Sequence, residues 1–322
     1  MIGSIGFIGG RRWLVKQLTA LREMDRVRKQ EVTLAEPVVR GSYRLALADT
    51  MTIDLLTTAE SDAWIRKVAR VMHLKTPSSS GSLRKLHEIE RAEQAAREHG
   101  VLTLRSDGNG TQLVFDVRAK PPGALTVREV WQSFYPFYER LVRLGGLPLH
   151  SALVRRGDTC LLVAAAAGTG KSTCCRRLPA DWKAICDEEV VLVPCSDGSW
   201  HAHPFPTWSD IVERKLDHTW DHSQRLPVSA VFLLEQGEAD SAERVGAGEA
   251  ILFLTRRARE KCFLFDWSLD AEEERSFRRR LFENVCTFAG AIPAYKLTAS
   301  GSGRFWEEME RALRECSIGF IS

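Results

Sequence analysis

The 322-residue sequence contains no run of about 18 uncharged apolar residues, the length a membrane-spanning helix needs, so neither a transmembrane segment nor a membrane partner is expected. It also lacks an excess of either charge. Forty-five Lys and Arg against 42 Asp and Glu leave a net +3, which excludes the bulk basic field of an electrostatically driven nucleic-acid binder. Paired C-x-x-C spacings are missing too: the eight cysteines all fall between Cys160 and Cys316, which argues against a zinc site or disulfide framework and for reduced thiols. The opening MIGSIGFIGGRRW has its apolar run before its basic pair, the reverse of a secretory signal, so the expected compartment is the cytoplasm. What is present, 44% hydrophobic and 27% charged residues, is a globular composition, and the length suits one small domain and one larger one.

Three segments follow from the pattern along the chain. Residues 1–40 read as an N-terminal helical segment with Leu14, Leu18 and Leu21 near helical spacing; SIGFI recurs at 4–8 and 317–321, which is taken as coincidence rather than a repeat. Residues 41–120 read as an α+β domain that could recognise a peptide. It has strands at YRLALAD and MTIDLLTT, a capped helix over WIRKVARVMHL, a second helix over LRKLHEIERAEQAAREH, and a hairpin about Asp107-Gly108-Asn109-Gly110. His73, His87 and His99 are isolated and read as surface or satisfied core residues. Lys120-Pro121-Pro122-Gly123 marks a linker, and residues 121–322 form the larger domain, entered through a helix interrupted near Pro136. Trp131, Phe134, Tyr135, Phe137 and Tyr138 on that helix read as a packing face.

The chemistry concentrates in CLLVAAAAGTGKSTCCRRL, residues 160–178. An apolar strand, a small-residue turn and a helix opening at Lys171-Ser172-Thr173 follow one another in the order a phosphate-binding P-loop requires. Without bulky side chains, successive backbone N–H groups can converge on a polyphosphate. The expected nucleotide-binding residues are therefore Ala166, Ala167, Gly168, Thr169, Gly170, Lys171, Ser172 and Thr173, with Lys171 reaching the β and γ phosphates and Ser172 on Mg²⁺. Ala165 stands where the G-x-x-x-x-G-K-[ST] pattern has its first glycine; it costs little if that position has negative φ and about 1 kcal/mol or more if positive. A magnesium-holding carboxylate is also required, and Asp187, Glu188 and Glu189 in KAICDEEVVLVP supply a run of acids. Glu235 and Asp266, each at the end of an apolar run, compete for that role. Arg256 and Arg257 could clamp phosphate, and His201 and His203 could ligate a metal, although no third ligand is spaced with them.

Leu149-His150-Ser151-Ala152-Leu153-Val154, then GTGKST, then Cys186-Asp187-Glu188-Glu189-Val190 resemble the catalytic domain of HPr kinase/phosphorylase, which has a histidine ahead of the P-loop strand and an Ala-Asp-Asp-x-Val segment after it. The resemblance implies an α/β fold with an HPr-kinase/PEP-carboxykinase-like P-loop core and a smaller α+β N-terminal domain. It makes Asp187 the acid/base for the acceptor hydroxyl, places Glu188 with the metal and phosphates, and sets His150 beside them. The catalytic set is then Asp187, His150 and Lys171; the metal set is Ser172, Asp187 and Glu188; the cofactors are ATP and Mg²⁺. Glu188 departs from the family's second aspartate, and SWHAHPFPTWSD (199–210) replaces its downstream glycine-rich segment, so HPr itself is not the expected substrate. HPFPTWS and GAIPAYKLTASGSGRFW are more similar to the divergent SynChlorMet cassette protein ScmC and lasso-peptide serine kinase group. That points to a serine kinase acting on a peptide or small protein in a peptide-modification pathway, with peptide-modifying enzymes as partners. Residues 199–210, stiffened by Pro204 and Pro206, read either as a loop that closes over the nucleotide or as a packed proline turn. An ATP-hydrolysing accessory protein and a vestigial nucleotide-binding module are the alternatives, and self-association is left open.

Overall fold

The computed structural model describes residues 41–47, 51–57, 62–74, 112–115, 130, 134–214, 220–221, 224–262 and 271–318. The expected N-terminal helix, the helix after Pro77, the turn about Asp107–Gly110, the 120–123 linker, His87, His99 and Asp266 lie outside them. Among the described residues no helix is long and apolar enough to cross a membrane.

Strands β1 (Gly41–Leu47) and β2 (Met51–Thr57) pair antiparallel, and β3 (Gln112–Phe115) joins β2 in parallel. Helix α1 (Asp62–Val71) buries Ile65, Val68 and Ala69 at helical spacing and leaves Arg66 and Arg70 exposed, as its amphipathic pattern requires. Leu45, Leu47, Leu55, Ile65, Val68 and Val71 share one continuous apolar core with the larger sheet that follows.

That larger sheet has nine strands: β4 (Leu147–Leu149), β5 (Ser151–Arg156), β6 (Thr159–Ala164), β7 (Lys183–Cys186), β8 (Val190–Pro194), β9 (Trp200–Pro204), β10 (Leu226–Gln236), β11 (Ser241–Arg244) and β12 (Ala294–Ala299). One half is antiparallel, in the order β4-β8-β9-β10. The other runs β7-β5-β6-β10-β12-β11, with β6, β10 and β12 parallel at its centre. β10 belongs to both halves, and its register slips between Val228 and Ala230, where it leaves β9 for β6, the local bend a bulge provides. Two other chain segments cross the same seam: β4 passes to β5 through His150, and β7 passes to β8 through Asp187, Glu188 and Glu189. The topology itself brings the histidine and the acids together.

Both faces of the central strands are covered, which explains why β6 reads as an unbroken apolar run. Cys160, Leu162 and Ala164 enter one core; Leu161, Val163 and Ala165 enter the other. Helices α2 (Tyr135–Arg143), α5 (Ala247–Cys262) and α6 (Ala271–Ala291) pack on the first core, α5 through an i, i+4 stripe of Ala250, Leu254, Ala258 and Cys262. Helix α7 (Phe305–Ile318) closes the second core with Phe305, Met309 and Ala312, joined by Cys174 of α3 (Lys171–Arg177). The second SIGFI segment starts inside α7.

One local expectation is sharpened and one changes. Pro136 stands in the first turn of α2, where its missing N–H is harmless, with Phe134 in a turn ahead of it and Val130 helical before that. Residues 199–210 are mostly regular: β9, a short turn, and helix α4 (Trp208–Val212). Pro204 is tolerated at the end of β9 because β10 pairs only with His201 and Ala202. Trp208 is fully buried against Phe134 (ring centroids 5.1 Å) and Phe205 stacks on Phe137 at 5.2 Å, so the packed-turn reading holds for this aromatic part.

Candidate functional site

A cavity of about 810 Å³ opens at the seam between the two halves of the sheet. It is lined by His150, by Ala167, Gly168, Gly170, Lys171, Ser172 and Thr173, and by Asp187 and Glu188, so nine of the residues expected from the sequence surround one space. Ala166 and Thr169 lie off it. Ala166 is exposed and accepts a backbone hydrogen bond from Thr169, whose own carbonyl accepts one from Gln236 Nε2 at 3.1 Å.

The turn between β6 and α3 explains its own composition. Gly168 (φ 79°) and Gly170 (φ 107°) occupy the left-handed region, which a side chain makes costly. Ala165 is not at positive φ; its methyl is fully buried in the second core beside Val163 and Cys174, so alanine suits the position the pattern gives to glycine. Lys171 is 6% exposed and its Nζ donates to the Ala165 carbonyl at 3.1 Å. Burial, followed by repulsion from Lys261, lowers its ammonium from the ordinary lysine value to about 8.

On the acid side, Asp187 and Glu188 are half-buried and Glu189 is buried. Glu189 accepts a hydrogen bond from the Tyr138 hydroxyl, which ties the acids to the aromatic cluster of α2. Lys261, in the last turn of α5, lies 3.4 Å from Glu188 Oε1 and 3.3 Å from Glu189 Oε2. Burial raises the Glu189 carboxyl, whereas the two carboxylates outweigh burial and raise the Lys261 ammonium. Burial, with Asp187 nearby, pushes the Cys175 thiol of α3 up to about 12, so Asp187 sits against the same helix that Lys171 opens.

His150 is tied to α5 twice. Its backbone N–H donates to the Arg257 carbonyl at 3.3 Å, and its Nδ1 lies 2.8 Å from Glu260 Oε2. The other oxygen of Glu260 forms an ion pair with Arg257 Nη1 at 2.9 Å. Burial and then Lys261, Lys171 and Arg257 hold the imidazole neutral, lowering it to about 3.

Neighbouring candidates fall elsewhere. Glu235 is exposed, pairs with Lys296 at 2.8 Å and accepts from Thr298, away from the cavity. His201 accepts a hydrogen bond from Arg225 Nε at 2.6 Å, and buried His203 is lowered to about 4. Among the described residues no group of three His, Cys, Asp or Glu is placed to hold a metal. Thr207, Ser209, Asp210, Arg214, Glu260 and Lys261 also line the cavity. Thr207 comes from the turn after β9 and Ser209 and Asp210 from α4, so this segment packs its aromatics inward and turns polar groups toward the cavity. Glu260 and Lys261 were not anticipated. One signal existed: Lys261 lies three residues after Ala258 and seven after Leu254, on the core-facing stripe of α5, where a charge demands a partner.

The family model of the SynChlorMet cassette protein ScmC matches residues 113–314, about two-thirds of the chain and every residue of the cavity. The chain belongs to the ScmC family. No curated protein matches it. Within this ScmC-family chain the match spans the nine-stranded sheet and the helices on both its faces.

Proposed function

We propose that this ScmC-family protein is an ATP- and Mg²⁺-dependent kinase that phosphorylates a serine hydroxyl of a peptide or small protein. The β6–α3 turn is then a P-loop, and the sheet around it an HPr-kinase/PEP-carboxykinase type of core. The observation that carries this reading is the convergence in one cavity of a glycine turn, a buried lysine at its end, and two carboxylates from the opposite strand crossing. Buried Lys171 and Lys261 repel each other across a space large enough for a nucleotide's phosphates, and a polyanion between them relieves that repulsion.

The donor set suits magnesium. Mg²⁺ takes one or two carboxylates and completes its shell with substrate phosphates and water, so the lack of a three-ligand cluster among the described residues is compatible with it. Ser172, Asp187 and Glu188 would hold the ion, and it would neutralise charge on the β and γ phosphates. Lys171 and the turn amides hold and orient the polyphosphate. Two cavity groups can take the proton of the attacking hydroxyl: the Asp187 carboxylate, which the HPr-kinase resemblance favours, and the neutral imidazole of His150. Thr207, Ser209, Asp210 and Arg214 in the cavity lining offer polar groups for an extended peptide carrying that hydroxyl.

The test is incubation with γ-labelled ATP, Mg²⁺ and peptides encoded beside the gene. Label is expected on serine of one of them. ADP accumulating with no labelled peptide would favour an ATP-hydrolysing accessory protein, and no MgATP binding by calorimetry would leave neither reading standing.

A further inference from the structure

Helix α5 ends with two adjacent charged residues that reach opposite sides of the cavity: Lys261 to the acids, Glu260 to His150. Nothing in the phosphate-binding reading requires Glu260. Its two oxygens are divided between Arg257 Nη1 at 2.9 Å and His150 Nδ1 at 2.8 Å, so the carboxylate is fixed before any substrate arrives. The histidine is fixed as well, because its own backbone N–H is bonded to the Arg257 carbonyl one turn from Glu260. A carboxylate can only accept, so the neutral ring must carry its proton on Nδ1 and leave the lone pair on Nε2. Nε2 has no hydrogen-bond partner among the described residues and is not among the sealed unpartnered atoms; His150 lines the cavity.

We infer that Glu260 and His150 form a proton-accepting dyad, with Glu260 the positioning residue and His150 Nε2 the group that takes the proton of the attacking hydroxyl. The inference rests on the kinase reading and resolves the choice that reading leaves between His150 and Asp187. In the step, the hydroxyl oxygen bonds to the γ phosphorus, the bridging β–γ P–O bond breaks with its electron pair leaving on ADP, and the hydroxyl proton moves to Nε2. The imidazolium formed is stabilised by the Glu260 carboxylate at Nδ1, the role an orienting acid plays for a general-base histidine. Asp187 is left to the metal. Burial, and then Lys261, Lys171 and Arg257, suppress the ring's basicity, and phosphates that neutralise those cations would relieve the charge part of that suppression.

The tautomer can be read without any assumption about the reaction. Full-length protein labelled with ¹⁵N-histidine is studied without ligand by two-bond ¹H–¹⁵N correlation, with His150→Gln to assign the ring. The expected result is a proton on Nδ1 and a bare Nε2 in the wild type, the same in Glu260→Gln, whose amide oxygen still accepts, and a shift toward the Nε2–H form in Glu260→Ala. A wild-type Nε2–H ring, or a tautomer indifferent to Glu260→Ala, overturns the inference. ADP release with MgATP and water as acceptor then separates the two claims: Glu260→Ala should lower kcat about tenfold or more with KM for ATP little changed, and Glu260→Gln should recover part of the loss. Unchanged kcat in Glu260→Ala, alongside the expected tautomer, overturns the dyad alone. No ADP from the wild type, with water or with the peptides encoded beside the gene as acceptor, overturns the kinase reading and the proton transfer together, while Glu260 keeps its hold on the ring.

Discussion

The two walls of the cavity are built on different principles. The β6–α3 wall is contiguous: Ala165 to Thr173 supply a buried anchor, two left-handed glycines and a lysine within nine positions, and their geometry follows from their own φ values. The α5 wall is assembled at a distance. Glu260 meets a residue 110 positions earlier and Lys261 one 73 positions earlier, and neither contact exists until the sheet has folded. A contiguous wall suits binding of a common group such as a polyphosphate, whereas a wall joined to the core ties orientation of the reacting groups to the integrity of the fold. Substitutions of cavity-facing groups on the first wall should therefore change affinity, and those on the second should change stability or turnover.

The largest expected effect tests the second wall. Lys261→Met leaves buried Glu189 without its nearby cation and should cost about 3–5 kcal/mol, the usual loss when one partner of a buried pair is removed. Adding Glu189→Gln should recover most of it. Urea unfolding of the single and double variants gives the comparison; a Lys261→Met protein as stable as wild type would mean that α5 contributes no structural counter-charge.

Next in size is Lys171→Ala. Losing a charge-assisted contact to phosphate should weaken MgATP binding about 10- to 100-fold by calorimetry. The melting temperature of the empty protein should not fall, because the same change removes the repulsion between Lys171 and Lys261. A large loss of stability with affinity intact would reverse the assignment of the two walls.

What could be read from the sequence divides along the same line. Strands β1 and β2, helix α1 and the whole β6–α3 unit are local patterns of alternation, helical spacing and turn residues, and each stands where expected. The 199–210 segment was harder to read because Pro204 and Pro206 are loop signals by local rules, while the pairing of β9 between β8 and β10 is decided by residues far along the chain. The terminal charges of α5 fail for the same reason. RRAREKC looks like a solvated helix end until His150 and the acids arrive beside it. Pro136 sits where such a residue is tolerated, in the first turn of α2, after helical Val130 and a turn at Phe134.

Ala165 offers a smaller test within the first wall. Ala165→Gly restores the general P-loop pattern, yet it should destabilise the protein by about 1–2 kcal/mol, from a lost buried methyl and a freer unfolded backbone. Affinity for MgATP should stay within a factor of about two, since the methyl faces the core and not the cavity. Stabilisation by glycine would show that the turn needs a conformation alanine resists.

The smallest effect is a fraction of a proton, and it bears on whether the two walls share one electrostatic field. Burial, followed by repulsion from Lys261, lowers Lys171 to about 8, whereas Lys261 is raised by its acids and stays charged. For the lysine of depressed folded value, the unfolded chain holds a proton that the folded protein lacks between about pH 8 and pH 10, so its contribution to stability rises with pH across that window. Binding has the opposite proton balance. A polyphosphate beside Lys171 recharges it, so at pH 8 MgATP binding should take up about half a proton through this lysine, whose share falls to almost none at pH 6.5. Calorimetry in two buffers of different ionisation enthalpy measures the uptake, and Lys171→Ala should abolish it. Uptake that survives Lys171→Ala would move the titrating group to another residue of the cavity; no uptake at pH 8 would mean that the phosphates never come within reach of Lys171.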